Sequence, residues 1–169
     1  MNTSGLLQDA FGRVVESIEA TLDGLGDAEL TYRPTPEANS IAWLVWHLTR
    51  VQDDHLADAF GTEQVVTAQG FAAQLQECFP HDPLDTGYGH TADQVGAVRA
   101  PATLLLEYLR AVHGQTIALL ETVTDADLDR VVDERWDPPV TLGVRLVSVV
   151  HDDLEHAGQA AYLRGILPG

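Results

Sequence analysis

The chain contains no lysine. All nine of its basic residues are arginine, against 26 acidic residues, for a formal net charge of −17. Without lysine, Schiff-base and lysine-nucleophile mechanisms are excluded. A charge this negative is repelled by phosphate backbones and by anionic lipid surfaces, so neither nucleic acid nor membrane is expected as a partner. Cysteine is nearly absent as well. Cys78 stands alone, so no intramolecular disulfide can form, and a reducing compartment fits. No stretch approaches the ~20 uncharged apolar residues of a membrane-spanning helix. No basic segment followed by an apolar run opens the chain, so no signal peptide is expected. These absences describe a protein expected in the cytoplasm.

What is present is an ordinary globular composition. Hydrophobic residues make up 45% of 169 residues, which argues against disorder and suits a single domain, 1–169, with a sizeable core. Leu6, Leu7, Ala10, Phe11, Val14, Val15, Ile18 and Leu22 fall on one helical stripe within residues 4–24. Ser4 is expected to cap that helix, and Gly24 and Gly26 to stop it. A proline-bearing connector follows, with one helical turn at Asp27–Leu30. Ser40 is expected to cap a second helix, Ile41 to about Phe60. Residues 61–100 are the least regular. A short helix over Glu63–Glu77 is followed by Cys78–His90, where Pro80, Pro83, Gly87 and Gly89 forbid regular structure. Thr91 is then placed to cap a short helix. Pro101 suits the first turn of a third long helix, reaching about Val123. Asp125–Arg130 reads as a turn and Val131–Val140 as an extended excursion. Thr141 caps a fourth helix that runs to Arg164. The pattern is all-α: a four-helix bundle with a long irregular excursion between the second and third helices.

The fourth helix carries His151-Asp152-Asp153-Leu154-Glu155-His156. At about 100° per residue, Asp152 and His156 lie roughly 40° apart on one face, one turn from each other. His151 is roughly 140° round from His156, and Asp153 about 60° to the other side. The natural pair is therefore Asp152 with His156. Metal ligation is one account of it; a helix-stabilising ion pair worth ~0.3–0.5 kcal/mol is the other. His47, in the middle of the second helix, has Trp43, Leu44 and Val51 as one-turn neighbours, none of them a ligand. It is either a hydrogen-bonded core histidine or a ligand whose partners come from another helix, and the fourth helix offers a ready pair. Two histidines and a carboxylate, with no cysteine nearby, make an open site suited to zinc, nickel or iron. Arg164 lies about 80° round from His156 and two turns on, within reach of the rim of a cavity. His113 reads as core or boundary. His55 could line the same cavity as His47, but a surface place or one beside the ligands suits it better. His81 and His90 are equally compatible with exposure.

At these residues the chain resembles the DinB-like superfamily of four-helix proteins. Ser40-Ile41-Ala42-Trp43-Leu44-Val45-Trp46-His47-Leu48 is similar to the family's histidine segment on the second helix. Asp152 through Gln159 is similar to its motif on the fourth, a histidine or acidic residue one turn before a histidine followed by x-Gly-Gln. Thr86–Thr91, with Glu134–Gly143, resembles an actinobacterial branch linked to mycothiol. The resemblance covers nearly the whole chain. It implies a divalent metal, commonly zinc or nickel, held by His47, Asp152 and His156. The superfamily's mycothiol-dependent maleylpyruvate isomerases carry glutamate where this chain has Asp152. They also have a C-terminal domain that is not expected here, so their isomerase reaction is not expected either. What remains is S-transfer from a mycothiol-like thiol to a small electrophile, in detoxification or stress, with Arg164 as a contact for the cosubstrate. The rival reading is a non-catalytic metal-binding protein, or a dimeric helical stress or scaffold protein. Related bundles often pair, so a homodimer is compatible with either.

Overall fold

In a computed structural model describing residues 2–168, the apolar stripes fold as expected and the connectors acquire structure of their own. The helices are α1 (Thr3–Leu22), α2 (Asp27–Leu30), α3 (Ile41–Phe60), α4 (Val65–Ala68), α5 (Phe71–Cys78), α6 (Ala92–Ala97), α7 (Ala102–Leu120) and α8 (Leu142–Gly165). A 3-10 helix, Asp125–Asp129, and two short strands, β1 (Val131–Asp133) and β2 (Val140–Thr141), lie between α7 and α8. Ser40 and Thr141 cap α3 and α8 by accepting the N–H of Trp43 and Val144. Ser4 does not cap α1. Asn2 does, accepting the N–H of Gly5 at 2.9 Å, while the Ser4 hydroxyl is buried and donates to the Leu120 carbonyl at the end of α7. An asparagine is as good a cap as a serine, which leaves Ser4 free to join the two helices.

The four long helices form a ring in the order α1, α7, α3, α8, each packed on its two neighbours. The most extensive contact is between α3 and α8. Every residue of α3 from Ile41 to Asp53 is buried. A helix buried on all sides needs cover beyond its two ring neighbours, and the segment 61–100 supplies it. The expected helix over Glu63–Glu77 is split into α4 and α5 at Gly70, whose φ of +77° interrupts the helical backbone.

A buried polar network holds this cover in place. The Arg50 guanidinium, fully buried on α3, donates to Asp53 (3.2 Å), the Tyr108 hydroxyl (3.0 Å), Gln64 (2.8 Å) and the Leu84 carbonyl (3.0 Å). Asp53 in turn accepts the Tyr108 hydroxyl (2.7 Å) and the N–H groups of Val65 and Val66 at the start of α4. A charge taken out of water needs this full complement of partners. The result fixes the course of residues 64–85 along α3. The stretch Val131–Val140 turns out to be an antiparallel ribbon, pairing Val131 with Thr141 and Asp133 with Val140, with a cis Asp137–Pro138 bond in its loop.

Candidate metal centre

Because α3 and α8 are ring neighbours, His47 meets the Asp152/His156 pair across their seam. One donor atom from each of His47, Asp152 and His156 lies within 4.8 Å of the others. The two imidazoles are nearly perpendicular, with ring centroids 4.7 Å apart, and Asp152 Oδ1 is 3.6 Å from His156 Nε2. His47 is 6% exposed. Asp152 and His156 are half-buried.

Each imidazole is oriented through its other nitrogen. His47 Nδ1 hydrogen-bonds the Thr86 carbonyl, and His156 Nδ1 lies 3.2 Å from the Gln159 side-chain oxygen. Both oxygens are acceptors, so both Nδ1 atoms carry the proton and both Nε2 lone pairs are left for a ligand. Trp43 stacks on His47 at 4.5 Å and 11°, fixing the plane of the ring. Asp152 Oδ2 is buried and has no hydrogen-bond partner, an orphan that a cation would satisfy.

Burial pulls the His47 pKa down. Burial acts the same way on His156, but the adjacent Asp152 carboxylate outweighs it and leaves His156 raised. For Asp152, burial pushes up, and the hydrogen bond and charge of His156 outweigh that and leave it lowered. The opposite directions at His156 and Asp152 have one cause, the carboxylate and the imidazole facing each other.

Segment 85–90 is built around the same histidine. Gly87 has φ +87°, and a Cβ there would meet the Trp46 ring at 2.7 Å and His47 Nδ1 at 3.2 Å. Only glycine lets the chain pass so close. His90 is not exposed: its side chain is 3% accessible. Its Nδ1 accepts the Trp43 indole N–H at 3.2 Å, so its Nε2–H donates to Asp85 at 3.0 Å, and Asp85 also accepts the Gly87 N–H. His81 packs beside it, with centroids 4.7 Å apart. Sequence reasoning left His90 open, although Gly87-Tyr88-Gly89 just before it was a sign that the chain approaches something closely there.

A chamber of about 580 Å³ opens from His47 and Asp152. Its far wall comes from the ribbon and the first turn of α8. Arg145 donates to Asp133 Oδ2 (3.0 Å) and to His55 Nδ1 (3.2 Å), and Arg135 grips both oxygens of Asp133 at 2.9 Å. The bonds from Arg135, with the charge of Arg145, hold Asp133 far below the usual carboxylate range. A guanidinium only donates, so His55 Nδ1 is an acceptor and its proton sits on Nε2. Burial, and then the Arg145 charge, lower the His55 pKa. His55 therefore lies in the chamber wall rather than on open surface.

The remaining candidates lie elsewhere. Arg164 does not line the chamber. Its guanidinium donates to the carbonyls of Thr21 and Asp23, the latter at 2.7 Å, at the end of α1, a helix with no basic residue of its own in its last turn. Arg135 and Arg145 are the chamber's cations instead. His151 is exposed and pairs with Glu155 at 3.3 Å. Asp153 points into the core, fully buried with both oxygens unpartnered, and burial pushes its pKa well up. His113 is half-buried on α7.

Among the described residues, no helix is long and apolar enough to cross a membrane. A crystal structure described as the conserved protein of a locus from Enterococcus faecalis is 32% identical to this chain. It superposes with a TM-score of 0.87 over 97% of this chain and 96% of its own. No curated protein matches. The family model for mycothiol-S-transferase matches residues 6–169, and this chain therefore belongs to the mycothiol-S-transferase family, within the DinB-like superfamily.

Proposed function

We propose that the protein is a divalent-metal-dependent S-transferase that conjugates mycothiol, or a thiol built like it, to a small electrophile and so removes the electrophile. The observation that carries this reading is the donor set itself: two imidazoles held with Nε2 free, and a carboxylate with a buried, unpartnered oxygen, all within 4.8 Å. Two nitrogens and one oxygen suit zinc or nickel and leave coordination positions open. When bound, such an ion supplies a Lewis-acid centre that brings a thiol's pKa into the neutral range.

The chain's own residues do the rest. His47 and His156 stay neutral as ligands, and Asp152 offsets part of the positive charge. Trp43 closes one side of the ligand set by stacking on His47 and meeting His156 edge-on at 6.3 Å. The chamber on the Asp152 side gives the thiol its approach. The protein supplies no sulfur nucleophile. Cys78 lines no part of the chamber, and burial, followed by the charge of Glu77, pushes its thiol pKa up. In the reaction the thiol gives up its proton, its sulfur forms a bond to the electrophilic carbon, and the bond from that carbon to its leaving group breaks, so that an alkyl halide releases its halide with the electron pair.

Metal analysis of the purified protein at neutral pH tests this directly. One equivalent of zinc or nickel is expected in wild type and none in His156→Ala. With mycothiol and an alkyl halide, mass spectrometry is expected to find the S-alkyl conjugate, and free halide to accumulate. A wild-type protein that holds no divalent metal and cannot be loaded with one ends the proposal.

A further inference from the structure

Three imidazoles bear on the centre and its chamber, and they are not held alike. His47 and His156 each give an Nδ1 proton to an oxygen and keep a bare Nε2 for a ligand. His55 is held the other way round. Arg145 donates to its Nδ1 at 3.2 Å, so the ring's single proton sits on Nε2. Asp54 does not compete for Nδ1. Its Oδ2 is 3.8 Å away, beyond hydrogen-bond distance, and its Oδ1 accepts the Gln64 amide at 2.8 Å. Arg145 is itself fixed: its side chain is 11% accessible, and its other nitrogen donates to Asp133, which Arg135 holds in turn. A carboxylate, a guanidinium and an imidazole thus form a chain from the ribbon to the chamber. Among the described residues, no protein atom accepts the His55 Nε2–H at its end.

His47, Val51 and His55 follow at four-residue steps along α3, and all three line the chamber. From His47 to His55 the helix advances about 12 Å. That span takes a thiol sulfur and a small electrophile between the two rings. As a base for the thiol proton, His55 is in the wrong tautomer, since its Nε2 has no lone pair to offer. What it has is a fixed N–H, and such a donor is worth most where negative charge develops on an oxygen. In an alkyl halide the charge goes to the halide, a weaker acceptor. When a thiol opens an epoxide, the charge goes to oxygen. The wall's guanidiniums are less suited to this task, because both are tied to Asp133 and Arg135 is 78% accessible to water.

We infer that His55 is a catalytic hydrogen-bond donor whose Nε2–H takes the electrophile's oxygen, and that epoxides are the class of electrophile this site favours. The thiol sulfur bonds to one ring carbon, and the bond from that carbon to oxygen breaks. The oxygen, still joined to the neighbouring carbon, keeps the electron pair under the His55 N–H. The proton given up by the thiol, carried by water, completes the hydroxyl. The product is a β-hydroxy thioether, and nothing is released. The reaction rests on the S-transferase reading; the tautomer of His55 does not.

Nitrogen-15 NMR of the zinc-loaded full chain reads the tautomer without any turnover. At neutral pH, His55 is expected to carry its proton on Nε2, its signals being assigned by their loss in His55→Phe. A proton on Nδ1 overturns the inference. The second readout is a ratio of kcat/KM values with mycothiol, 1,2-epoxybutane over 1-bromobutane, in wild type, His55→Phe and His55→Gln. Each protein is first checked for one bound zinc and for an unchanged circular dichroism spectrum. The ratio is expected to fall about 100-fold in His55→Phe and about tenfold in His55→Gln, whose side-chain amide keeps an N–H. An unchanged ratio in His55→Phe overturns the inference, whatever becomes of the two rates. So does a wild type that conjugates 1-bromobutane and leaves the epoxide untouched, and in that case the S-transferase reading survives. A wild type that conjugates neither ends both.

Discussion

His47 and His156 are each held through Nδ1 by an oxygen, but the two oxygens differ in kind. Thr86 offers a main-chain carbonyl, fixed by its loop, whereas Gln159 offers an exposed side chain. Gln159→Leu should therefore remove an orienting bond without disturbing the fold, and zinc affinity, measured against a chromophoric chelator, is expected to fall about 10–100-fold. The raised pKa of His156 depends on its carboxylate partner. In an NMR titration of metal-free protein, Asp152→Asn is expected to bring the His156 pKa down, because the main influence that opposes burial is then gone and only the weaker ones from Gln159 and Glu155 remain. Asp153 is the opposite case, a carboxyl in the core with no partner. Its folded pKa is raised above the unfolded value of about 3.9, so its contribution to stability is fully present below that pH and is lost as pH rises through the folded pKa. Asp153→Ala is accordingly expected to raise the melting temperature at pH 8, and the gain should shrink as pH is lowered toward 4. The scale of the gain is at most the ~1–3 kcal/mol of an unsatisfied buried group, less the cost of the small cavity. No change in melting temperature at pH 8 would mean that Asp153 finds a partner in solution.

Among the elements, the one that matters most to the centre is the irregular segment laid over α3. Its path depends on Arg50, and its approach to His47 depends on Gly87. Arg50→Met leaves Asp53 as an uncompensated buried charge, and urea unfolding is expected to show a loss of about 3–5 kcal/mol. Gly87→Ala should act locally. With a Cβ 2.7 Å from Trp46 and a backbone at φ +87°, the loop has to move, taking the Thr86 carbonyl with it. The helical circular dichroism spectrum should be unchanged while zinc affinity drops. The four long helices were legible in the sequence from apolar periodicity and capping residues, and the second, read as Ile41 to about Phe60, is α3 at Ile41–Phe60. Of the cover over α3, the short helices and the Thr91 cap were legible, but the way they are held against α3 was not. Its order comes from one buried guanidinium that gathers Asp53, Gln64, Leu84 and Tyr108 from four different segments, and no local pattern announces a partnership of that kind. The ribbon was read only as extended chain, because two- and three-residue strands are too short for alternation to show.

In the molecule as a whole, the candidate centre exists because the ring order sets α3 against α8. Helical geometry alone reduced the polar cluster on α8 to Asp152 and His156, and that pair is the one that faces His47. Joining it to His47, more than a hundred residues earlier, needed the resemblance, since periodicity says which face a residue occupies and not which helix it faces. Arg164 shows the same limit: spacing put it within reach of a cavity, and the neighbouring α1 claimed it as a cap. A centre that ties two helices together also links metal to folding. At free zinc a hundredfold above its dissociation constant, the folded state should gain about 2.7 kcal/mol. A fluorimetric melt is expected to shift upward with zinc in wild type and to stay unmoved in His156→Ala. The loop around Gly87 has one more consequence. What it gives His47 is a backbone carbonyl, while the side chain it offers the chamber is that of Tyr88. Position 88 can be rewritten freely so long as the main-chain path is kept, and the same holds for Trp136 in the ribbon loop. On the S-transferase reading, those two side chains are where a designer would reshape the chamber for another thiol, since neither belongs to the helices that carry His47, Asp152 and His156.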